Sequence, residues 1–203
     1  HGRNVTGAQI INGQHLYFDA NGRQVKGGFV MNTDGSRSFY HWNTGDKLVS
    51  TFFTTGHDRW YYADDKGNVV TGAQVINGQK LFFATDGKQV KGDFATNANG
   101  SRSYYHGATG NKLVSTFFTT GDNNWYYADA KGELVVGEQT INGQNLYFDQ
   151  TGKQVKGATA TNPDGSISYY DVHTGEKVIN RWVKIPSGQW VYFNAQGKGY
   201  VSN

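Results

Sequence analysis

Short stretches of alternating apolar and polar residues recur along the whole chain, and turn residues separate them. In the first example, residues 9–11 and 14–18 flank the dipeptide Asn12-Gly13. Asn-Gly between two β-prone stretches is the strongest short signal for a β-hairpin with a two-residue turn. A second turn at residues 19–22 and a brief extended step at Gln24-Val25 complete a module of about 21 residues.

The next two modules follow the same plan with different residues. The strands predicted for the second module are residues 29–31 and 37–41, and those for the third are residues 51–54 and 60–63. Turn residues recur too often for a helix to fit between them. The pattern therefore predicts an all-β chain that is built from β-hairpins.

A longer period of 65 residues is superimposed on these modules. Residues 8–27 return at residues 73–92 and again at residues 138–157, without insertion. Aromatic clusters end every 21 or 22 residues, so each 65-residue unit holds three modules and the chain holds about nine. Similarity at a fixed period is the signature of a repeat architecture, in which each repeat contacts mainly its neighbours.

These periods predict one elongated repeat domain over residues 1–203, folded as a β-solenoid of stacked β-hairpins. The repeat units are predicted at about 5–69, 70–134 and 135–200. Because the chain starts inside a repeat, we expect it to be a fragment of a larger protein.

The composition suits thin modules better than one large core. Hydrophobic residues make up 36% of the chain, Gly accounts for 28 of 203 residues, and aromatic residues reach 15%. Burial is therefore expected from aromatic side chains packed between modules. The chain has no cysteine, so disulfides and thiolate metal sites are excluded. This composition favours a secreted or surface protein of a bacterium.

Charge and hydropathy argue against two classes of partner. The formal net charge is +3, and Lys and Arg never form a block. A nucleic-acid-binding protein would show a basic face, and a membrane span would need about 20 apolar residues in a row. We therefore predict neither a nucleic-acid nor a membrane partner, and we expect a monomer.

Residues that recur only every 65 positions are the candidates for a binding site, because core positions should recur in every module. They are an amide, an ammonium and a phenol at fixed mutual offsets: Gln9, Gln74 and Gln139; Lys26, Lys91 and Lys156; Tyr40, Tyr105 and Tyr170. A flat ring can stack on the C–H face of a pyranose, Gln can donate to and accept from hydroxyls, and Lys can donate to them. The set suits a neutral sugar. Alternatively, each Lys lies over its Tyr ring and each Gln pairs with a backbone edge.

Other patterns give no catalytic or metal site. The tryptophans Trp60, Trp125 and Trp190 occur once per unit and are either ligand platforms or large core aromatics. Asp19-x-Asn21-Gly22 resembles the opening of a calcium loop, but no glutamate follows at the required distance. There is no nucleophile elbow, phosphate loop or unrepeated acid pair. We predict a non-enzyme without a cofactor or metal.

The motif I-N-G-x-x-L-Y-F-D-x-x-G-x-x-V-K-G resembles the glucan-binding repeats of bacterial glucansucrases such as dextransucrases. These repeats belong to a wider cell-wall-binding superfamily that includes choline-binding modules. The resemblance implies a β-solenoid attached to a catalytic core that this chain lacks. It also implies pockets for α-linked glucosyl units, each with a stacking tyrosine and Gln and Lys donors, formed by the nine residues given above. Second candidates are Tyr17, Phe82 and Tyr147.

The expected function is that of a non-catalytic module that recognises α-glucan, as dextran or isomaltooligosaccharide, and tethers a glucansucrase of a lactic acid bacterium to its product. One alternative is a choline or teichoic-acid anchor on the cell wall, although recognition of a quaternary ammonium needs a cage of several aromatic residues. Another alternative is a structural spacer.

Overall fold

A computed structural model describes residues 3–202, and within that range the chain forms strands and turns and no helix. Eighteen strands pair in sequence order as nine two-stranded hairpins. The hairpins are β1 (Gly7–Ile11) with β2 (Gln14–Phe18), β3 (Gly28–Met31) with β4 (Arg37–Tyr40), β5 (Thr51–Thr54) with β6 (Trp60–Ala63), β7 (Gly72–Ile76) with β8 (Gln79–Phe83), β9 (Asp93–Thr96) with β10 (Arg102–Tyr105), β11 (Thr116–Thr119) with β12 (Trp125–Ala128), β13 (Gly137–Ile141) with β14 (Gln144–Phe148), β15 (Ala158–Thr161) with β16 (Ile167–Tyr170), and β17 (Arg181–Lys184) with β18 (Trp190–Phe193). The all-β hairpin-repeat prediction is confirmed.

The tight turns are those that the Asn-Gly dipeptides predict. Asn12 and Gly13 have φ angles of 51° and 80°, as the two central residues of a type I′ turn require. The register then pairs Ile11 with Gln14 and Gly7 with Phe18. A two-residue turn of this type matches the right-handed twist of the flanking strands, which explains why Asn-Gly specifies the hairpin.

The short third segments of the modules form single β-bridges rather than strands. Gln24 bridges Phe18, and Lys47 bridges Tyr40. Such a segment can also donate a backbone hydrogen bond to the preceding hairpin, as from Lys47 N to His15 O at 2.8 Å. The third segment therefore links one hairpin to the next.

The chain folds as two compact units, each with its own cores. Unit 1 contains residues 1–93 and 105–112, and unit 2 contains residues 94–104 and 113–203. The single domain and the three repeat boundaries given above stay predictions. Among the described residues there is no helix that is long and apolar enough to cross a membrane.

The cores are small clusters in which residues of successive hairpins pack together. In unit 1, the Phe39 and Phe53 rings stack with centroids 4.6 Å apart. A second cluster in that unit packs Phe52, Tyr62 and Val70 against Ile76, Leu81 and Phe83 of the next hairpin. In unit 2, the corresponding cluster packs Phe117, Tyr127 and Val135 against Ile141, Leu146 and Phe148. Each hairpin thus buries its apolar face against its neighbour, because a two-stranded hairpin alone is marginal in water.

Candidate ligand-binding site

A cavity of about 450 Å³ lies in unit 1 where three successive modules meet. We call it the Trp60 pocket, after its largest aromatic residue. Its lining consists of Asp58, Trp60, Lys88, Gln89, Lys91, Gly107 and Ala108. The volume is that of an ordinary small-ligand site.

Backbone pairing positions the aromatic and polar residues of the Trp60 pocket. Trp60 is the first residue of β6, and its carbonyl oxygen accepts a 2.7 Å hydrogen bond from the Gln89 N–H. Residues two apart on an extended segment share a face, so Lys91 lies on the same side as Gln89. The Lys91 Nζ atom lies 5.7 Å from the centroid of the Trp60 ring.

The turn that follows β10 packs against the Gln89 side chain. Gly110 in this turn has a φ of +74°, and a Cβ atom there would lie 2.3 Å from Gln89 Nε2. Only glycine fits both the left-handed backbone and this approach. The turn also carries Gly107 and Ala108, which form one wall of the pocket.

Unit 2 contains a second pocket with the same framework, the Trp125 pocket. Its volume is also about 450 Å³, and its lining consists of Asp122, Asn123, Trp125, Lys153, Gln154, Lys156, Val172 and His173. The Gln154 N–H donates to the Trp125 carbonyl at 2.7 Å, and Lys156 Nζ lies 5.6 Å from the Trp125 centroid. The framework is therefore built twice, at positions 65 residues apart.

Each pocket combines one half-buried indole with amide, ammonium and carboxyl or carboxamide groups. An apolar ring face beside several hydrogen-bonding groups suits a ligand that carries both C–H surfaces and hydroxyls. Each lining contains a single tryptophan and no tyrosine or phenylalanine. A cage of several aromatic residues, which quaternary ammonium recognition uses, is not formed by these linings.

Of the residues predicted from the sequence, Lys91 and Lys156 line the pockets. The third lysine, Lys26, is exposed on the first module. The predicted glutamines do not line the pockets: Gln9 Nε2 donates to Thr6 O, Gln74 Nε2 to Thr71 O and Gln139 Nε2 to Val136 O, each at 2.8 Å. That pairing is the alternative given above for these side chains.

The pocket glutamines, Gln89 and Gln154, belong to the Gln-Val-Lys-Gly motif that ends each first module. The sequence signal that could have found them is the spacing of Gln and Lys by two residues. This spacing puts both side chains on one face of an extended segment.

The predicted stacking tyrosines lie inside the protein. Tyr40 is 3% exposed, and Tyr105 and Tyr170 are 0% exposed. Their rings pack against the second candidates: Tyr17 with Tyr40 at 5.8 Å, Phe82 with Tyr105 at 5.7 Å and Tyr147 with Tyr170 at 5.5 Å between centroids. Sugar stacking on these tyrosines stays a prediction, and it would require neighbouring hairpins to separate.

The hydroxyls of Tyr105 and Tyr170 are buried without a hydrogen-bond partner. Burial raises the pKa of Tyr105 and of Tyr170, and the nearby Glu138 carboxylate and Tyr147 raise the pKa of Tyr170 further. Both phenols therefore stay neutral. The half-buried aromatic residues of the two pockets are Trp60 and Trp125. Their only sequence signal was that a tryptophan recurs at this position once in every 65 residues.

Solved structures with a similar fold are choline-binding repeat proteins. Choline-binding protein F from Streptococcus pneumoniae superimposes with a TM-score of 0.71 and 18% identity, over 98% of this chain and 72% of that chain. The choline-binding domain of CbpL from the same species gives a TM-score of 0.67 and 20% identity, over 98% and 99% of the two chains. Identities this low show a shared fold alone.

Similar sequences occur in streptococcal glucosyltransferases. Glucosyltransferase-S of Streptococcus mutans is 41% identical over 95% of this chain, and Glucosyltransferase-I of Streptococcus downei is 38% identical over 95% of it. Glucosyltransferase-I of Streptococcus mutans is 47% identical over 86% of the chain. The chain spans only 12–15% of the lengths of these relatives.

Two family models together cover almost the whole chain. The choline-binding repeat matches residues 5–52, 70–117 and 135–182, and the cell wall binding repeat matches residues 50–69, 115–134 and 180–198. These matches leave no stretch of this chain for a catalytic domain. The chain is a repeat-only, binding-type domain, and it belongs to the family of choline-binding and cell wall binding repeats.

Proposed function

We propose that the chain is a non-catalytic carbohydrate-binding module that takes α-linked glucan, as dextran or isomaltooligosaccharide, into the Trp60 and Trp125 pockets. The observation that carries this proposal is the recurrence of one Trp-Gln-Lys framework, in a cavity of about 450 Å³, once in each unit. A repeating polymer presents the same glucosyl unit many times, so a binder with equivalent pockets matches it.

Each group in the framework has a function in this proposal. The Trp60 indole supplies a flat apolar face for the C–H side of a pyranose. Gln89 and Lys91 supply donors and an acceptor for hydroxyls. Asp58 at the rim supplies a further acceptor. Because the Lys91 ammonium lies over the Trp60 ring, the sugar displaces it toward the hydroxyls when it stacks.

The relatives support the choice of ligand. The similar proteins are named glucosyltransferases, and the chain corresponds to a small part of them. A module of this kind would hold such an enzyme at its glucan product, outside the cell or on the bacterial surface. Two weak sites on one polypeptide would give avidity, because the first contact raises the local sugar concentration at the second.

Electrophoresis in gels that contain dextran tests this function. The wild-type chain is expected to be retarded relative to a dextran-free gel. The double variant Trp60→Ala/Trp125→Ala is expected to migrate freely, since both aromatic platforms are gone. Trp182→Ala is the matched control, because Trp182 lies outside both pocket linings. Equal retardation of the double variant and the wild type would contradict the proposal.

A choline or teichoic-acid anchor is the second candidate. The observation in its favour is that a cation, the Lys91 ammonium, already lies over the Trp60 ring. The same ammonium would repel a quaternary ammonium ligand, and the single-tryptophan lining favours the sugar. Release from bacterial cell walls by choline, and not by isomaltotriose, would establish the anchor instead. A structural spacer would give neither retardation nor release.

A further inference from the structure

One position in the wall of the two pockets changes its residue, while the glycine beside it stays the same. At successive steps of 65 residues the position holds Trp42, Gly107 and Val172. The glycine beside it is Gly27, Gly92 and Gly157 in turn, with φ angles of 64°, 65° and 66°. The backbone at this point is therefore constant, and only the side chain varies. We call the position of Gly107 and Val172 the variable wall position.

In unit 1, the variable wall position has no side chain, and the space beside it is open. Apart from its chain neighbours, a Cβ atom on Gly107 would have one heavy atom within 4 Å, the Gly92 Cα atom at 3.7 Å. The φ angle of Gly107 lies outside the left-handed region, so the backbone also permits a side chain there. Because Gly107 lines the Trp60 pocket, this open space adjoins the pocket.

In unit 2, the Val172 side chain occupies the equivalent space. Val172 Cγ2 lies 3.0 Å from the place that a Cβ atom on Gly157 would take. The side chain thus lies over Gly157, next to Lys156 of the framework. Val172 lines the Trp125 pocket and is 56% exposed, so a ligand in this pocket can cover its apolar surface.

This difference has two opposite effects on a bound glucosyl unit. Contact with Val172 removes apolar surface from water, which stabilises the complex. The same side chain takes up room that a substituent on the glucosyl unit would need. Gly107 has the reverse effects, because it offers less apolar contact and leaves more room.

We propose that the variable wall position selects which glucosyl units each pocket accepts. The Trp125 pocket, with Val172, binds an unbranched glucosyl unit more tightly and rejects a branched one. The Trp60 pocket, with Gly107, binds the unbranched unit more weakly and accepts a unit that carries a glucosyl branch. The inference rests on the proposed function, since it concerns the sugar that the same two pockets take. A module with one pocket of each kind would hold both linear and branched segments of a glucan.

Other differences between the pockets have to be separated from this one. His173 stands at the position of Ala108 in the wall, and Asn123 stands at the position of Asp58 at the rim. These two differences change the groups that can form hydrogen bonds with hydroxyls, whereas Val172 changes apolar contact and room. Exchanging the residue at the variable wall position alone therefore measures its effect separately.

Calorimetry on single-pocket variants, with two sugars, tests the proposal. Trp125→Ala leaves the Trp60 pocket, and Trp60→Ala leaves the Trp125 pocket. The sugars are isomaltotriose and an isomaltotriose whose middle unit carries an α-1,3-linked glucosyl branch. The Trp125 pocket is expected to bind isomaltotriose about fivefold more tightly than the Trp60 pocket, the value of covering about half of a valine side chain. The branch is expected to weaken binding at least about tenfold in the Trp125 pocket, since it overfills the space, and to have little effect in the Trp60 pocket.

Exchanging the residue at the variable wall position should exchange these preferences. Gly107→Val in the Trp125→Ala background is expected to bind isomaltotriose about fivefold more tightly and to lose the branched sugar. Val172→Gly in the Trp60→Ala background is expected to do the reverse. Both residues already occur at this position beside the same glycine, so the fold accommodates either one. Val114→Gly is the control and should change neither affinity, because this valine is 42% exposed and lies outside both linings.

The two ways in which this experiment can fail are distinguishable. If both pockets bind isomaltotriose and the exchanges leave the ratio of linear to branched affinity unchanged, the inference is overturned while the proposed function stands. If neither pocket binds isomaltotriose, the proposed function fails and the inference fails with it. A ratio that follows the valine in both directions supports the inference.

Discussion

The Trp60 pocket and the Trp125 pocket share their framework and differ in one wall and at the rim, where Asn123 stands at the position of Asp58. In both, a tryptophan carbonyl accepts from a glutamine N–H at 2.7 Å, and a lysine Nζ lies 5.6–5.7 Å from the ring centroid. The wall contains Gly107 and Ala108 in unit 1, and Val172 and His173 in unit 2. Backbone pairing therefore preserves the framework, while the residues of a surface turn can change without disturbing it.

The turn that carries this wall is stabilised differently in the two units. In unit 1, His106 Nδ1 accepts from the backbone N–H groups of Ala108 and Thr109 at 3.2 and 3.3 Å. In unit 2, Asp171 Oδ1 accepts from the N–H groups of His173 and Thr174 at 2.8 and 2.9 Å. A hydrogen bond to an ionised carboxylate is stronger than one to a neutral acceptor, so the turn of unit 2 should be held more strongly.

Removing one tryptophan at a time should have the largest effect and should break the equivalence of the pockets. Trp60→Ala is expected to abolish sugar binding in unit 1 and leave unit 2 unchanged, and Trp125→Ala is expected to do the reverse. Truncating a central aromatic anchor costs at least about 2 kcal/mol, or about 30-fold in affinity. NMR titration with isomaltotriose would follow the Lys91 and Lys156 amide signals separately.

One result would contradict the assignment of Trp60 as the aromatic platform. If Trp60→Ala leaves the isomaltotriose shifts of the Lys91 and Gln89 amides intact, the platform is another residue. Trp190→Ala is the matched control, because it removes an exposed tryptophan that lines neither the Trp60 pocket nor the Trp125 pocket.

Removing the acceptor of each turn should have an intermediate effect, larger in unit 2. His106→Ala and Asp171→Ala each leave two backbone N–H groups without their side-chain acceptor. Two backbone hydrogen bonds, from Thr174 and His173, hold the pKa of Asp171 at about 2. That carboxylate cap is present above the ordinary carboxyl pKa and is lost only as the pH falls through about 2.

Hydrogen exchange at the Ala108 and Thr109 amides, compared with the His173 and Thr174 amides, measures this difference. We expect faster exchange at the Ala108 and Thr109 amides in His106→Ala, and at the His173 and Thr174 amides in Asp171→Ala. Because the net value of one such bond is about 0.5–1.5 kcal/mol, the acceleration should stay near or below about tenfold per bond. His106→Asp should keep exchange slow in unit 1, and fast exchange in this variant would mean that a carboxylate does not replace the imidazole as the acceptor of that turn.

Replacing the buried phenols should have the smallest effect and sharpen the assignment of the site. A buried donor without a partner costs about 1–3 kcal/mol, so Tyr105→Phe is expected to keep or raise the free energy of unfolding, by about 1 kcal/mol at most. Tyr170→Phe should behave in the same way. Urea unfolding measures both, and isomaltotriose affinity should not change. A fall in affinity would support the tyrosine site that the sequence predicted.

Local structure was largely predictable from the amino-acid sequence. Asn12-Gly13 and its copies specify two-residue turns through their left-handed backbone angles, and the alternation around them specifies the strands. Lys91 and Lys156 of the Gln-Val-Lys-Gly motif lie in the linings of the two pockets, and their contact with sugar stays a prediction. These features depend on residues that are close in the chain, so their spacing is enough.

Which aromatic faces are covered depends on how the hairpins pack, and the sequence pattern does not specify that packing. Tyr105 and Trp60 both recur once per 65-residue unit, so periodicity ranks them equally. In the folded chain, Tyr105 is fully buried beside Phe82, whereas Trp60 lines a cavity with Gln89 from the following module. Exposure at a junction depends on how the neighbouring hairpin is placed, and hydrogen bonds between modules set that placement. The period of a repeat specifies which residues are equivalent, but not which of them face the ligand.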